Sequence, residues 1–327
     1  MPADKLIIAD AVRATEAGAI AAARLMGRGD RNGADQAAVS AMRKAMDDAD
    51  ISGTIVIGEG ERDQAPMLFI GEQVGNPDAA TEVDIAVDPL EGTNLVATGS
   101  ANATAVLAAA EPGGLMHAPD TYLEKLIVGP LAAGHVSMAD PVDKTLNTIA
   151  EALGRRVHDI TVIILDRPRH EKLIADVRET GARIKLIGDG DLTAAISVAV
   201  SGTGVHAVMG IGGAPEGVLS AAALKCLGGE IQARFKWRSD EEKERGRGMG
   251  VDVDDTERIY TTQDLASGES VVFCATGVTD GELLRGVRFF GGGARTHSLL
   301  LSYREGLVRF IDTVHMFDQR HPPKVRL

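Results

Sequence analysis

The sequence predicts an α/β protein in which an α+β N-terminal half is joined to an α/β C-terminal half. Three observations carry that expectation. Apolar runs alternate with helical periodicities from residue 161 to residue 227, the βαβαβα rhythm of parallel strands with crossover helices. The first half opens instead on two helical periodicities and then turns to short β-branched strands. The 327 residues are enough for two cores at roughly 150 residues each. The rhythm changes near residue 158, so the expected domains are 1–158 and 159–327.

The elements follow in order. Ile8, Val12, Thr15, Ala19, Ala22 and Met26 step by fours and threes, one face of a helix that Gly27 and Gly29 end. Val39, Met42, Met46 and Ala49 share a face of a second helix, with Asp35 at its start as a candidate cap. Gly53 breaks the chain, and residues 54–57 form a strand ending in Gly58-Glu59-Gly60-Glu61. Val83, Ile85 and Val87 alternate in a strand that runs into Asp88-Pro89-Leu90-Glu91-Gly92-Thr93. Strands are expected over 103–108 and 125–128, and a helix over 142–153 that Gly154 stops. In the second half, strands over 161–165, 183–187 and 205–209 alternate with helices over 170–180, 192–200 and 218–227. The charge run RSDEEKERGR at 238–247 reads as a solvated loop, and residues 271–275 and 299–303 as strands completing the second sheet.

Composition excludes several classes of function. Lys+Arg 34 against Asp+Glu 47 gives a net charge of −13, and Phe 7, Tyr 3 and Trp 1 leave few aromatic rings. A chain with neither positive field nor stacking platform is poorly suited to nucleic acid. A hydrophobic content of 44% fits a packed core. The N-terminal MPADKLIIADAVRATEAG scatters charge through what would have to be a signal peptide, and no apolar run approaches the ~18 residues of a membrane span. A soluble, cytoplasmic protein is expected, with Cys226 and Cys274 as buried thiols. An acidic protein that binds an anion needs local Arg or Lys, helix N-termini or bound cations.

Acidic residues recur beside glycines at strand ends: Glu59 and Glu61, Asp88 and Glu91, Asp189 and Asp191 about Gly190, and Glu216 after Gly-Ile-Gly-Gly-Ala-Pro. Ligands of α/β sheets gather at the carboxyl ends of strands. Any one of these acids serves equally as a cap or turn residue. Four such clusters converging would repel one another unless cations bridged them, and oxygen donors without His or Cys suit Mg²⁺ or Mn²⁺. In DPLEGT, Pro89 bends the chain as it leaves the strand. Asp88 and Glu91 can then hold one ion or two adjacent ions. Gly92 allows close approach, and Thr93 can open a helix able to receive phosphate. The Thr93 hydroxyl is placed to orient an attacking water, or serves only as a cap. Arg167 and Arg169, two apart after a strand, suit a clamp on a distal phosphate, or a surface salt bridge. His170 beside them is a helix-start residue or a phosphate donor.

VDPLEGT resembles the DP-[ILV]-[DE]-G-[ST] motif of the metal-dependent, lithium-sensitive phosphatase superfamily, which includes inositol monophosphatases and fructose-1,6-bisphosphatases. Together with TIVIGEGE, APMLFIGE, ILDRPRH, IGDGD and GIGGAPEG, it is similar specifically to class II (GlpX-type) fructose-1,6-bisphosphatases. The resemblance implies a layered α-β-α-β-α sandwich of the sugar phosphatase/inositol monophosphatase type. It implies Asp35 and Glu59 as ligands of one metal, and Asp88, Glu91 and Glu216 as ligands of a second. It implies substrate contacts at Glu91, Gly92, Thr93, Tyr122, Arg167, Pro168, Arg169, Asp189, Gly190, Asp191 and Gly213, with Asp63 the partner of Thr93 in water activation.

The implied activity is metal-dependent hydrolysis of the 1-phosphate of fructose 1,6-bisphosphate, without a covalent phosphoenzyme. Cations at the site would stabilise phosphoryl and leaving-group charge and activate water. Dual use with sedoheptulose 1,7-bisphosphate is the alternative, ahead of an inositol-phosphate-type phosphatase or a non-catalytic sugar-phosphate sensor. A homo-oligomer, dimer or tetramer, is expected, with no nucleic-acid or membrane partner. Two departures stand out: Arg167 replaces a common Lys, and the charged segment at 240–250 is shorter than in some relatives.

Overall fold

A computed structural model describes residues 3–59 and 67–317. Helix α1 (Ala3–Ala23) and helix α2 (Arg31–Asp47) come first. The cap of α2 is Asp30, whose carboxylate accepts the Gly33 N–H at 2.9 Å; Asp35 lies inside the helix and is free for another role. Strands β1 (Ser52–Ile57), β2 (Gln73–Gly75) and β3 (Glu82–Glu91) follow. Next come α3 (Thr93–Thr98), β4 (Thr104–Ala110), β5 (Tyr122–Val128) and α4 (Val142–Ala152).

The predicted alternation then appears as β6 (Thr161–Leu165), α5 (Glu171–Glu179), β7 (Arg183–Ile187), α6 (Asp191–Ala199), β8 (Ala207–Gly213) and α7 (Ala214–Leu227). Strand β9 (Glu230–Lys236) leads into α8 (Asp240–Gly248). The expected solvated loop is therefore a helix, because Ser239 caps it by accepting the Glu242 N–H and its acids and bases fall at the dipole-favoured ends. Strand β10 (Tyr260–Thr261), helix α9 (Thr262–Leu265), and strands β11 (Val272–Gly277), β12 (Arg288–Phe290), β13 (Gly293–Ser302) and β14 (Leu307–Met316) complete the described chain.

The strands form two sheets. The first runs β12-β13-β11-β4-β3-β1-β2, with β14 on β13; the second runs β10-β9-β5-β8-β6-β7. Strands β8, β6 and β7 are parallel, as the crossover rhythm requires. Sheet membership does not follow the expected division at 158. β5 lies between β8 and β9 of the second sheet, and β11 pairs antiparallel with β4 of the first. The strands expected to complete the second sheet thus extend the first: side-chain alternation records burial, but not which sheet supplies the partner.

Period-2 burial on both faces builds the layers. In β4, Ala105, Leu107 and Ala109 face a core shared with α1 and α2, while Val106, Ala108 and Ala110 face a second core. That second core fills the space between the sheets and holds α6 and α7. Helix α7 is buried from Val218 through Leu224, as a helix sandwiched between two sheets must be. In β5, Leu123 and Ile127 point into this middle layer, and Leu126 and Val128 point outward to a third core with Leu146 and Ile149 of α4 and Val177 of α5. The order α1/α2, sheet, α6/α7, sheet, α4/α5 is the five-layer α-β-α-β-α sandwich.

Candidate metal and phosphate site

The two halves of the site are assembled by local backbone devices. Residues three apart on a regular strand point to opposite faces. The pairing of β3 with β4 shifts register between Asp88 and Glu91, a bulge that leaves Pro89 and Leu90 outside the ladder and turns both acids to one side. The Leu90 N–H donates to Asp88 Oδ1 at 3.1 Å. Gly92 then takes φ 83°, a left-handed conformation that favours glycine, and Thr93 opens α3. Gly190 repeats the device at φ 86° before Asp191 opens α6.

Asp88, Glu91 and Glu216 each offer a carboxylate oxygen, all three within 4.8 Å of one another. Glu216 stands in the first turn of α7, and a Cβ on Gly213 would lie 1.9 Å from its Oε2. Gly213 is thus required for the carboxylate to sit where it does. Glu59 follows β1, and Asp35 projects from α2. A cavity of about 440 Å³ is lined by these five acids together with Gly92, Thr93, Asp120 and Asp189.

The carboxylates penalise one another. Burial, then Asp35, Glu216 and Asp120, push Glu59 up to about 7. Burial, then Asp191 and Glu216, push Glu91 up to about 8. Burial and neighbouring acids raise Asp88 and Glu216 as well, and burial raises Asp35. Glu216 Oε2 is buried with no hydrogen-bond partner among the described residues. An orphaned carboxylate oxygen in an all-oxygen cluster is what a hard divalent cation would satisfy. The residues present therefore fit such a cation, with Asp88, Glu91 and Glu216 as one donor set and Asp35 and Glu59 beside them.

The backbone holds these acids from behind. The Leu192 N–H of α6 donates to Glu91 Oε1 at 3.2 Å. Asn94 donates to Asp189 Oδ2 at 3.0 Å and accepts from Arg31, which links α2, α3 and the turn before α6. Asp191 is paired at 2.8 Å with Lys125, a buried cation on the inward face of β5.

The cationic side lies apart from the cavity. Tyr122 begins β5, directly paired with Gly213 of β8, the glycine against which the Glu216 carboxylate lies. Arg169 lies over the Tyr122 ring, 4.9 Å from its centroid, and donates through Nε and Nη2 to the Ile211 carbonyl. Arg167 donates to Gly188 O at 2.6 Å, across Pro168 from Arg169. Neither arginine has a carboxylate partner among the described residues. His170 is no phosphate donor. Its Nε2 accepts the Ile211 N–H at 2.7 Å, so Nδ1 carries the proton and donates to Leu165 O at 2.7 Å. Burial and the adjacent arginines hold its pKa down, and the neutral ring staples β8 to the end of β6.

Asp35, Glu59, Asp88, Glu91, Gly92, Thr93, Asp189 and Glu216 are thus brought together around one cavity. Tyr122, Arg167, Pro168, Arg169, Gly190, Asp191 and Gly213 do not line it. Asp63 lies outside the described residues. Sequence reading missed Asp120, Lys125 and Arg238. Lys125 had a signal, a lysine on the Leu123–Ile127 face of an apolar strand. Asp120 precedes a strand, so a search at strand ends passes over it.

Fold and site together define a layered α/β protein with an all-carboxylate centre suited to hard divalent cations. The chain belongs to the GlpX-type class II fructose-1,6-bisphosphatase family: the family described as "Bacterial fructose-1,6-bisphosphatase, glpX-encoded" matches residues 5–315. It is 50% identical to the D-fructose 1,6-bisphosphatase class 2/sedoheptulose 1,7-bisphosphatase of Synechococcus sp. (strain JA-3-3Ab), over 97% of both chains. Proteins of the same description from Gloeobacter violaceus (48% identical, over 97% of this chain and 98% of the relative) and Microcystis aeruginosa (47%, over 94% and 95%) are also similar.

Proposed function

We propose that the chain hydrolyses the 1-phosphate of fructose 1,6-bisphosphate, giving fructose 6-phosphate and phosphate. The observation that carries this reading is the juxtaposition of an all-carboxylate centre with an orphaned Glu216 oxygen and, across the Tyr122–Gly213 pairing, a cluster of arginines. Asp88, Glu91 and Glu216 would hold one Mg²⁺ or Mn²⁺, and Asp35 and Glu59 another. Such cations supply Lewis-acid stabilisation of phosphoryl charge and a more acidic water. Thr93 would orient the attacking water, with Asp63 as its partner. Arg167 and Arg169 would clamp the distal phosphate beside Tyr122, and Asp189, Gly190 and Asp191 would meet the sugar. Dual use with sedoheptulose 1,7-bisphosphate is the alternative, supported by the names of the relatives.

A cytoplasmic location is supported by two free cysteines, Cys226 and Cys274. Among the described residues no helix is long and apolar enough to cross a membrane. A homo-oligomer is supported by the exposed Val308, Phe310 and Met316 along β14, which pairs only with β13 among the described strands, and light scattering would measure it. Phosphate release from both bisphosphates, with and without EDTA and with Mg²⁺ or Mn²⁺ restored, tests the activity. Release unaffected by chelation would overturn it.

A further inference from the structure

The charged segment 238–247 carries a buried carboxylate. Glu242 is 6% exposed, on a helix where it and Gly246 are the buried residues. Burying a charge is costly unless it is paired and hydrogen-bonded. Glu242 Oε2 accepts from Thr121 Oγ1 at 2.7 Å and from the Arg238 N–H at 2.9 Å, and Oε1 takes the Arg238 guanidinium. Burial works against its ionisation, and these bonds outweigh it, holding the carboxyl below its ordinary value. Arg238 Nη2 also donates to Asp120 O at 2.9 Å. Helix α8 is therefore fastened to residues 120 and 121, between the acid-lined cavity, which Asp120 borders, and Tyr122.

Arg238 lies over the Tyr122 ring, 4.7 Å from its centroid, and shares that ring with Arg169 at 4.9 Å. The two guanidiniums are thus held within about 10 Å of each other, roughly one Debye length, where like charges repel unless an anion joins them. Their anchoring is alike. The bonds from Arg169 to Ile211 O, and from Arg238 to Asp120 O and Glu242, use Nε and Nη2 and leave Nη1 without a partner among the described residues in each. Glu242 offsets one guanidinium, while Arg167 and Arg169 have no carboxylate partner among the described residues, so the cluster keeps net positive charge.

We propose that Arg238 is a further cation of the distal-phosphate subsite, sharing Tyr122 with Arg169, and that Glu242 is the positioning residue that holds it there. This rests on the bisphosphatase reading above. The test compares fructose 1,6-bisphosphate with fructose 1-phosphate, which lacks the distal phosphate, using the whole metal-loaded protein. Arg238→Ala is expected to raise KM for the bisphosphate about tenfold to a hundredfold, the worth of one charge-assisted hydrogen bond, and to leave KM for the monophosphate unchanged. Arg238→Lys keeps charge without the planar fork and should fall between. Glu242→Gln keeps the shape and should raise KM for the bisphosphate alone, by less. Melting temperatures of all three variants separate misfolding from lost binding. Equal effects of Arg238→Ala on both substrates, or none on either, overturn the assignment of Arg238. A Glu242→Gln protein that melts lower with an unchanged ratio of the two KM values overturns the positioning role. A wild-type protein inert on the bisphosphate would instead refute the bisphosphatase reading itself.

Discussion

Replacing Lys125 with methionine probes how the fold tolerates so many buried acids. Lys125 is 4% exposed, and its ammonium lies 2.8 Å from Asp191 Oδ2, whose charge in turn raises Glu91 and Glu216. Gly212 makes room for the pair: a Cβ there would stand 2.2 Å from Asp191 Oδ2 and 3.0 Å from Lys125 Nζ. Methionine fills much the same space without charge, so Asp191 is left half-buried and unpaired beside other carboxylates. Removing one partner of a buried pair costs about 3–5 kcal/mol. Lys125→Met should therefore lower the urea midpoint of the metal-free protein markedly. Asp191→Asn in the same chain should recover most of that loss, because the orphaned charge is gone. The assay is equilibrium urea unfolding of both single variants and the double variant in EDTA. A loss under about 1 kcal/mol in Lys125→Met, the range of an exposed pair, would refute the reasoning. So would a double variant no better than Lys125→Met.

Glu91→Gln removes charge but keeps shape, and should abolish nearly all activity with the fold intact; a variant retaining a tenth of wild-type kcat at saturating metal would count against the ligand assignment. The cap of α3 is Gly92, with no side-chain cap bond, so the Thr93 hydroxyl is not spent on the helix; Thr93→Ala should lower kcat by about 10²–10⁴-fold while Thr93→Ser retains far more, and a Thr93→Ala protein that turns over normally would remove Thr93 from the reaction. Gly213→Ala should displace the Glu216 carboxylate and weaken divalent-cation binding measured by calorimetry, and unchanged affinity would remove Gly213 from that role. The pH dependence follows from Glu91 near 8 and Glu59 near 7, both above an ordinary 4.5. Between these values the folded, metal-free protein holds protons that the unfolded chain has released, so its stability falls as pH rises from 4.5 through 8. A cation replaces those protons, so the rise in melting temperature on adding Mg²⁺ should be larger at pH near 8 than near 6, and a smaller rise would contradict the assignment.

Most acids of the cavity were legible because their signal is local. Glu59, Glu91 and Glu216 each sit next to a glycine at a strand end or helix start, and Asp88 stands three residues before Glu91, whereas Asp35 had no such signal of its own and was implied by the resemblance alone. The second-half alternation was legible for a similar reason, since a crossover helix and its strands are neighbours in sequence. Sheet membership was not. β11 joins β4 across more than half the chain, and nothing in Val272–Gly277 distinguishes one sheet edge from another. Segment 238–247 misled in the opposite direction: charge predicts solvent, yet Glu242 turns inward because Thr121 and Arg238 satisfy it. Lys125 follows the same logic, a charge on an apolar face explained only by a partner on another element.

The distribution of charge explains how a chain of net charge −13 can favour a dianionic substrate end. The acids are concentrated in one cavity, where burial and then mutual repulsion raise Glu59 and Glu91, so a cation bound there would be favoured. The arginines are held outside it by main-chain carbonyls, Gly188 O for Arg167 and Ile211 O for Arg169, which orient a guanidinium without neutralising it. A carboxylate in either place would cancel the charge a phosphate needs. On the proposed assignment, a bisphosphate meets cations bound by acids at one end and guanidiniums at the other, so each end recognises phosphate by a different device. The separation between those devices is fixed by the Tyr122–Gly213 pairing and by α7 starting one residue later. On that assignment the rigid spacing, more than net charge, would distinguish a sugar carrying two phosphates from one carrying a single phosphate.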